Sequence, residues 1–148
     1  MDSQLLAQKN AKASTLLSWV LIVFGIFSCS SRSDYNIIIG FLILFIRSQY
    51  MIDKSKFKLL LKATIHILTV SLFVDIIWIW QYTSYWRHGD ETSDLWKSLS
   101  FVHNLVYYLG IFEFLIKFPM LVFLFRQFQS NGGKNNELLN FNYLPDKI

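Results

Sequence analysis

Four apolar runs, separated by short polar segments, dominate the chain. They cover about residues 16–27, 37–46, 59–82 and 99–125. Each run is apolar around most of a helix circumference, whereas the helices of a soluble bundle keep one polar face. The runs also lack the period-two alternation of membrane barrel strands. The pattern therefore predicts α-helices that cross a membrane.

The polar segments between the runs set the expected ends of these helices. Residues 28–34 are small or polar and are typical of a turn. A spanning helix needs about 20 residues, so the short second run is extended into its polar flanks. We predict an all-α integral membrane bundle of four transmembrane helices. Their expected bounds are about 14–30, 35–52, 57–82 and 99–125.

Composition agrees with a membrane protein. The 148 residues are 53% hydrophobic and only 16% charged, against about 45–50% and 25% in soluble domains. This length predicts a single membrane domain over residues 1–130, followed by a flexible polar tail over residues 131–148. Cys29 is the one cysteine, which excludes an intrachain disulfide.

The net charge is +4, and the positions of the basic residues along the chain indicate how the helices are oriented in the membrane. Ten Lys and Arg residues lie in the N-terminal arm, the second loop with its helix ends and the tail, against three in the other two loops. The positive-inside rule then predicts that both termini face the cytosol. Lys54, Lys56 and Lys58 form a basic cluster that attracts anionic lipid. Nucleic acid is not a predicted partner, because the charge is split among membrane-flanking segments.

The N-terminus allows a second interpretation. Lys9 and Lys12 precede a short apolar core and small residues around Cys29, a pattern that is also typical of a cleaved signal peptide. Cleavage would remove residues 1–30 and leave three helices.

Among the ionisable residues inside the predicted spans, where such side chains are costly, five are candidate sites. They are His66, Asp75, His103, Glu113 and Lys117. One interpretation is helix pairing, with Glu113 and Lys117 four residues apart, His66 near them, and Asp75 opposite His103. The other is a proton or ion relay. Pairing is the preferred interpretation.

Enzyme signatures are missing from the sequence. It contains no Gly-rich phosphate loop, no zinc-protease motif, no nucleophile elbow and no metal spacing among the histidines. We therefore predict a protein without catalytic residues, cofactor or metal.

Three segments resemble the type-1 angiotensin II receptor-associated protein family. Asn36 begins the apolar run NIIIGFLILFIRSQYMID, and Asp75 lies near the end of KATIHILTVSLFVDIIWIWQY. Lys117 and Pro119 follow a third apolar run, where Phe118 separates two residues that are adjacent in the family. The resemblance covers about residues 16–133.

The resemblance implies a small multi-pass adaptor of endoplasmic reticulum, Golgi and vesicle membranes. Such a protein binds a receptor-like membrane protein and modulates its signalling, internalisation and trafficking. Two alternatives remain open: an accessory subunit of a respiratory complex in the mitochondrial inner membrane, and a small transporter component that uses the intramembrane charges.

Overall fold

A computed structural model describes residues 2–29, 34–50, 53–88 and 98–140 of the chain. Over these residues the chain is all-helical, which confirms the all-α part of the prediction. The helices are α1 (Asp2–Ser28), α2 (Asn36–Gln49), α3 (Lys54–His88), α4 (Ser100–Ser130) and the short α5 (Asn135–Leu139).

Three of the described helices contain stretches long and apolar enough to cross a membrane. These stretches are Gln8–Ser28, Lys54–Gln81 and Ser100–Ser130. The second predicted span, 35–52, is represented by α2, which has 14 residues. At 1.5 Å per residue α2 is about 21 Å long, less than the roughly 30 Å of the hydrocarbon core. The second apolar run therefore forms a helix that is too short to span alone.

The helix ends differ from those predicted because capping and helix propensity, not hydropathy, set them. α1 begins well before residue 14, since the polar residues ahead of its apolar run include no Gly or Pro. α3 begins at Lys54 because the Asp53 carboxylate accepts the backbone N–H groups of Ser55 and Lys56, at 2.9 and 3.2 Å. α4 ends where Gly132 adopts a φ of 78°.

The helices pack around a continuous apolar core. α1 packs against α2 and α4, and α3 packs against the same two helices. The core contains Leu21, Ile43, Leu61, Leu68 and Met120, all buried. Large apolar side chains also cover the outside, including Val70, Phe73, Trp80 and Phe101. An apolar exterior on long apolar helices is that of a membrane-embedded protein.

A glycine brings α2 close to α1. A Cβ atom built on Gly40 would lie 2.6 Å from Ile22 Cγ1 and 2.9 Å from the Ser18 carbonyl oxygen. The isoleucine side chain can rotate away, but a backbone oxygen moves only with its helix. Gly40 therefore sets the distance between these two helices.

Gly40→Ala is expected to lower the free energy of unfolding by about 1–3 kcal/mol, because overpacking forces the two helices apart. The measurement is the thermal unfolding of the purified protein in mild detergent. Ser48→Ala, at an exposed position of the same helix, serves as the control. At an uncrowded helix position Gly→Ala is stabilising, so a rise in stability would contradict the close approach.

Part of the predicted flexible tail over residues 131–148 is docked on the bundle. Residues 131–140 form a turn and α5, which folds back onto α3. The Lys58 ammonium lies 2.8 Å from the Glu137 carboxylate, and this hydrogen bond holds the pKa of Glu137 below its usual value. Half-buried Leu138 packs against the core. An ion pair and an apolar contact thus hold this polar segment against the bundle. Residues 141–148 lie outside the described residues.

Candidate functional site

A buried polar network connects α1, α2, α3 and α4. We use the term "polar network" for Ser28, Asp34, Tyr35, Asn36, Asp75, Glu113 and Lys117. All of these side chains are buried except that of Tyr35, which is half-buried. The network therefore holds charged groups inside the apolar bundle, where each one needs a partner.

An ion pair between α3 and α4 lies at the centre of the polar network. Lys117 Nζ lies 2.5 Å from Asp75 Oδ2, and the two side chains are 0% and 8% exposed. The Asp75 carboxylate also accepts the hydroxyl hydrogen of Tyr35. Each oxygen of Asp75 therefore accepts one hydrogen bond, one from Lys117 on α4 and the other from Tyr35, just before α2. This geometry neutralises the two charges and fixes the separation of α3 and α4.

Tyr35, just before α2, extends the ion pair toward that helix. Its hydroxyl oxygen lies 3.4 Å from Lys117 Nζ, from which it accepts a hydrogen bond. The ammonium also lies 4.7 Å from the centre of the Tyr35 ring, within the range of a cation–π contact. One aromatic side chain therefore contacts both partners of the ion pair.

Glu113 holds the turn between α1 and α2. Its carboxylate accepts a hydrogen bond from Ser28 Oγ at 3.3 Å and from Asn36 Nδ2 at 2.7 Å. Asp34 accepts the backbone N–H of Asn36 at 2.8 Å, which satisfies one open donor in the first turn of α2. The Asn36 side-chain oxygen is buried without a hydrogen-bond partner among the described residues. Glu113 thus binds the last residue of α1 and the first of α2.

The turn between α1 and α2 meets α4 well inside its apolar stretch. Glu113 is thirteen residues from Ser100, so α4 continues for about 20 Å beyond the turn. Irregular backbone at membrane depth is tolerated only where protein or water satisfies its polar groups. The polar network supplies such partners at both ends of the turn, while residues 30–33 of the turn itself lie outside the described residues.

The charged residues predicted from the sequence take other partners than those expected. Lys117 forms its ion pair with Asp75, whereas Glu113 was expected, and Glu113 turns toward α1 and α2. The predicted pair of Asp75 and His103 does not form. His103 is fourteen residues from Lys117, and therefore about 21 Å along α4 from the level of Asp75.

The remaining predicted residues lie at separate places. His66 Nε2 is 2.7 Å from the carbonyl oxygen of Leu138, so its contact is with the tail rather than with Glu113 or Lys117. His103 is half-buried in the first turn of α4. Pro119 is exposed inside α4, which continues through it as one helix to Ser130. Asn36 belongs to the polar network through its side-chain amide.

Sequence reasoning missed the role of Ser28 and Asp34, which it assigned to a polar turn, and of Tyr35, which it placed at the start of the second span. Two signals point to them. The second apolar run is too short to span, which places its preceding turn at membrane depth. Lys58 and Lys62 also lie near the start of the third predicted span, which leaves Lys117 for the two deeper carboxylates, so one carboxylate needs neutral donors such as hydroxyl and amide groups.

The described residues contain no group of three or more His, Cys, Asp or Glu side chains placed to hold a metal ion. In comparisons with known proteins, no family model, no curated protein and no solved structure matches the chain. The proposed function therefore rests on the geometry of the site.

Proposed function

We propose that four helices hold this chain in the membrane, with both termini in the cytosol. The support is the charge distribution, since ten basic residues flank one side and three the other. In this arrangement α3 and α4 cross the membrane as one hairpin, and α1 and α2 form a second hairpin that enters from the cytosolic side and turns at the level of Glu113. The basic cluster of Lys54, Lys56 and Lys58 then faces anionic lipid of the cytosolic leaflet.

The orientation predicts opposite labelling of two positions. In sealed vesicles with the cytosolic face outward, a membrane-impermeant thiol reagent is expected to label Ser98→Cys, at an exposed position just before α4 and introduced together with Cys29→Ser, only after permeabilisation. Lys134→Cys, introduced together with Cys29→Ser, is expected to react without it, because exposed Lys134 follows α4 near the end where α3 begins. The reverse pattern would show the opposite orientation.

We further propose that the protein is a non-enzymatic membrane adaptor that binds a receptor-like membrane protein and modulates its signalling, internalisation and trafficking. Its expected location is endoplasmic reticulum, Golgi and vesicle membranes. The observation that carries the proposal is the use of the intramembrane charges. Lys117 on α4 pairs with Asp75 on α3. Glu113 on α4 accepts hydrogen bonds from the two helix ends that flank the turn between α1 and α2. Such contacts serve to position helices, which is what a scaffold requires.

Affinity purification from mild detergent tests the adaptor role. A tag after Ile148 is expected to recover one or a few receptor-like membrane proteins at a fixed ratio, in fractions that contain endoplasmic reticulum or Golgi markers. The control is a tagged variant that carries both Asp75→Lys and Glu113→Lys. These substitutions place like charges around Lys117 and separate the helices, so this variant is expected to recover no membrane protein. Recovery with mitochondrial respiratory complexes instead would favour the accessory-subunit alternative. A pH-dependent ion flux into proteoliposomes that Asp75→Asn abolishes would favour the transporter alternative.

A further inference from the structure

A large cavity lies between α1, α2, α3 and α4 at the end of the bundle where α3 begins. Its volume is about 860 Å³, within the range of cavities that enclose small molecules. It extends along α3 from Lys54 to Thr64, a distance of about 15 Å. The cavity is separate from the polar network, none of whose residues lines it.

Large apolar side chains form much of the cavity wall. They belong to Ile43, Ile46, Phe57, Leu61 and Leu124. The polar groups between them are already bonded within the protein, as in the 2.9 Å hydrogen bond from Gln127 Nε2 to Ser14 Oγ. The Thr64 hydroxyl likewise bonds to the carbonyl of Leu60. Such walls suit a hydrocarbon chain.

The open end of the cavity is basic. Arg47 and Lys54 are the charged residues among those described that line the cavity, and no acidic residue is among them. Both are exposed. Arg47 Nη1 donates to the Ala11 carbonyl and to Thr15 Oγ1, which fixes the guanidinium at the opening. A guanidinium carries five N–H donors, so two bonds from one nitrogen leave others for an anion.

We propose that this cavity binds one anionic phospholipid of the adjoining leaflet, with an acyl chain between the helices and the phosphate at Arg47 and Lys54. Lys54 is the first residue of α3, at the level where lipid headgroups meet water. Basic pockets between membrane helices on the cytosolic side recognise anionic headgroups. This differs from attraction to the basic cluster, because it requires the open cavity between the helices and the side chain of Arg47. The proposal depends on the membrane location of the chain and not on its client.

Native mass spectrometry of the full chain in mild detergent tests the proposal. The protein is titrated with phosphatidic acid or phosphatidylcholine that carry the same oleoyl chains. One molecule of phosphatidic acid is expected to bind, about thirtyfold more tightly than phosphatidylcholine, on the basis of two cations near the headgroup. Equal affinity for the two lipids would overturn the proposal, as would displacement of phosphatidic acid by glycerol 3-phosphate, which has no acyl chain.

Matched variants separate the cavity from the basic surface. Lys54→Gln is expected to weaken phosphatidic acid binding about fivefold, and Lys56→Gln, exposed on the same turn but outside the cavity, to leave it unchanged. Ala11→Phe fills the cavity without a change of charge and is expected to weaken both lipids. Arg47→Gln also removes a contact with α1, so Lys54→Gln is the decisive variant. An equal loss in Lys56→Gln, or unchanged binding in Ala11→Phe, would place the lipid on the surface and overturn the proposal.

Discussion

Lys117→Met is expected to lower the free energy of unfolding by about 3–5 kcal/mol. The lysine side chain is fully buried, and its ammonium lies 2.5 Å from the Asp75 carboxylate. Met fills a similar volume but donates no hydrogen bond, so Asp75 keeps its charge in an apolar interior without the cation that neutralises it. Denaturant unfolding of the purified protein in detergent and its abundance in membranes both measure this loss.

Two further variants define the cause of that loss. Arg126→Met, at an exposed position of the same helix, is expected to change stability by less than about 0.5 kcal/mol. Asp75→Leu combined with Lys117→Met removes both charges and is expected to return stability to within about 1 kcal/mol of the original, because a well-packed apolar pair replaces a buried ion pair at little cost. A single Lys117→Met variant that is as stable as the original protein would contradict the structural role.

The double variant also separates helix pairing from chemistry. An adaptor needs the helices in place but not the charges themselves, so the stable double variant is expected to keep its client. A transporter that moves protons or ions through Asp75 would lose its activity in that variant even though it is folded. Client recovery and flux, measured on the same protein, therefore discriminate between the two functions.

The helical fold could be predicted from the sequence because lipid imposes a strong and local requirement. A chain that crosses hydrocarbon must be apolar over about 20 residues and must satisfy its own backbone hydrogen bonds. Helix ends are not subject to that requirement. The cap at Asp53 and the turn at Gly132 end helices by local hydrogen bonding and backbone geometry, which hydropathy does not measure. The length of α2 was overestimated because the prediction required every apolar run to span.

The residues of the site could be predicted, but their partners could not. Asp75, Glu113 and Lys117 are recognisable because a charge inside an apolar run is costly wherever the run lies. The partner of each depends on how far one helix is shifted along another. The prediction let every apolar run span the membrane, whereas the turn before α2 reaches the level of Glu113. That shift results from packing between distant segments, such as the contact of Gly40 with α1, and no local pattern encodes it.

Glu113→Leu is expected to lower the free energy of unfolding by about 2–4 kcal/mol, because the Ser28 hydroxyl and the Asn36 amide are then buried without their acceptor. Glu113→Gln keeps one oxygen for one of the two donors and is expected to cause about half that loss. Asn104→Leu, an apolar substitution at an exposed position of the same helix, is the control and is expected to leave stability nearly unchanged.

A nitroxide label on Cys29, next to Ser28, gives a second measurement of the same contact. If Glu113 holds the turn, the label becomes more mobile in Glu113→Leu and not in Asn104→Leu. Asn36→Leu in the Glu113→Leu background removes the donor as well as the acceptor, so part of the stability is expected to return. Equal losses in the single and double variants, with an immobile label, would mean that Glu113 stabilises α4 alone. The short α2 would then be held at its depth by apolar packing rather than by the polar network.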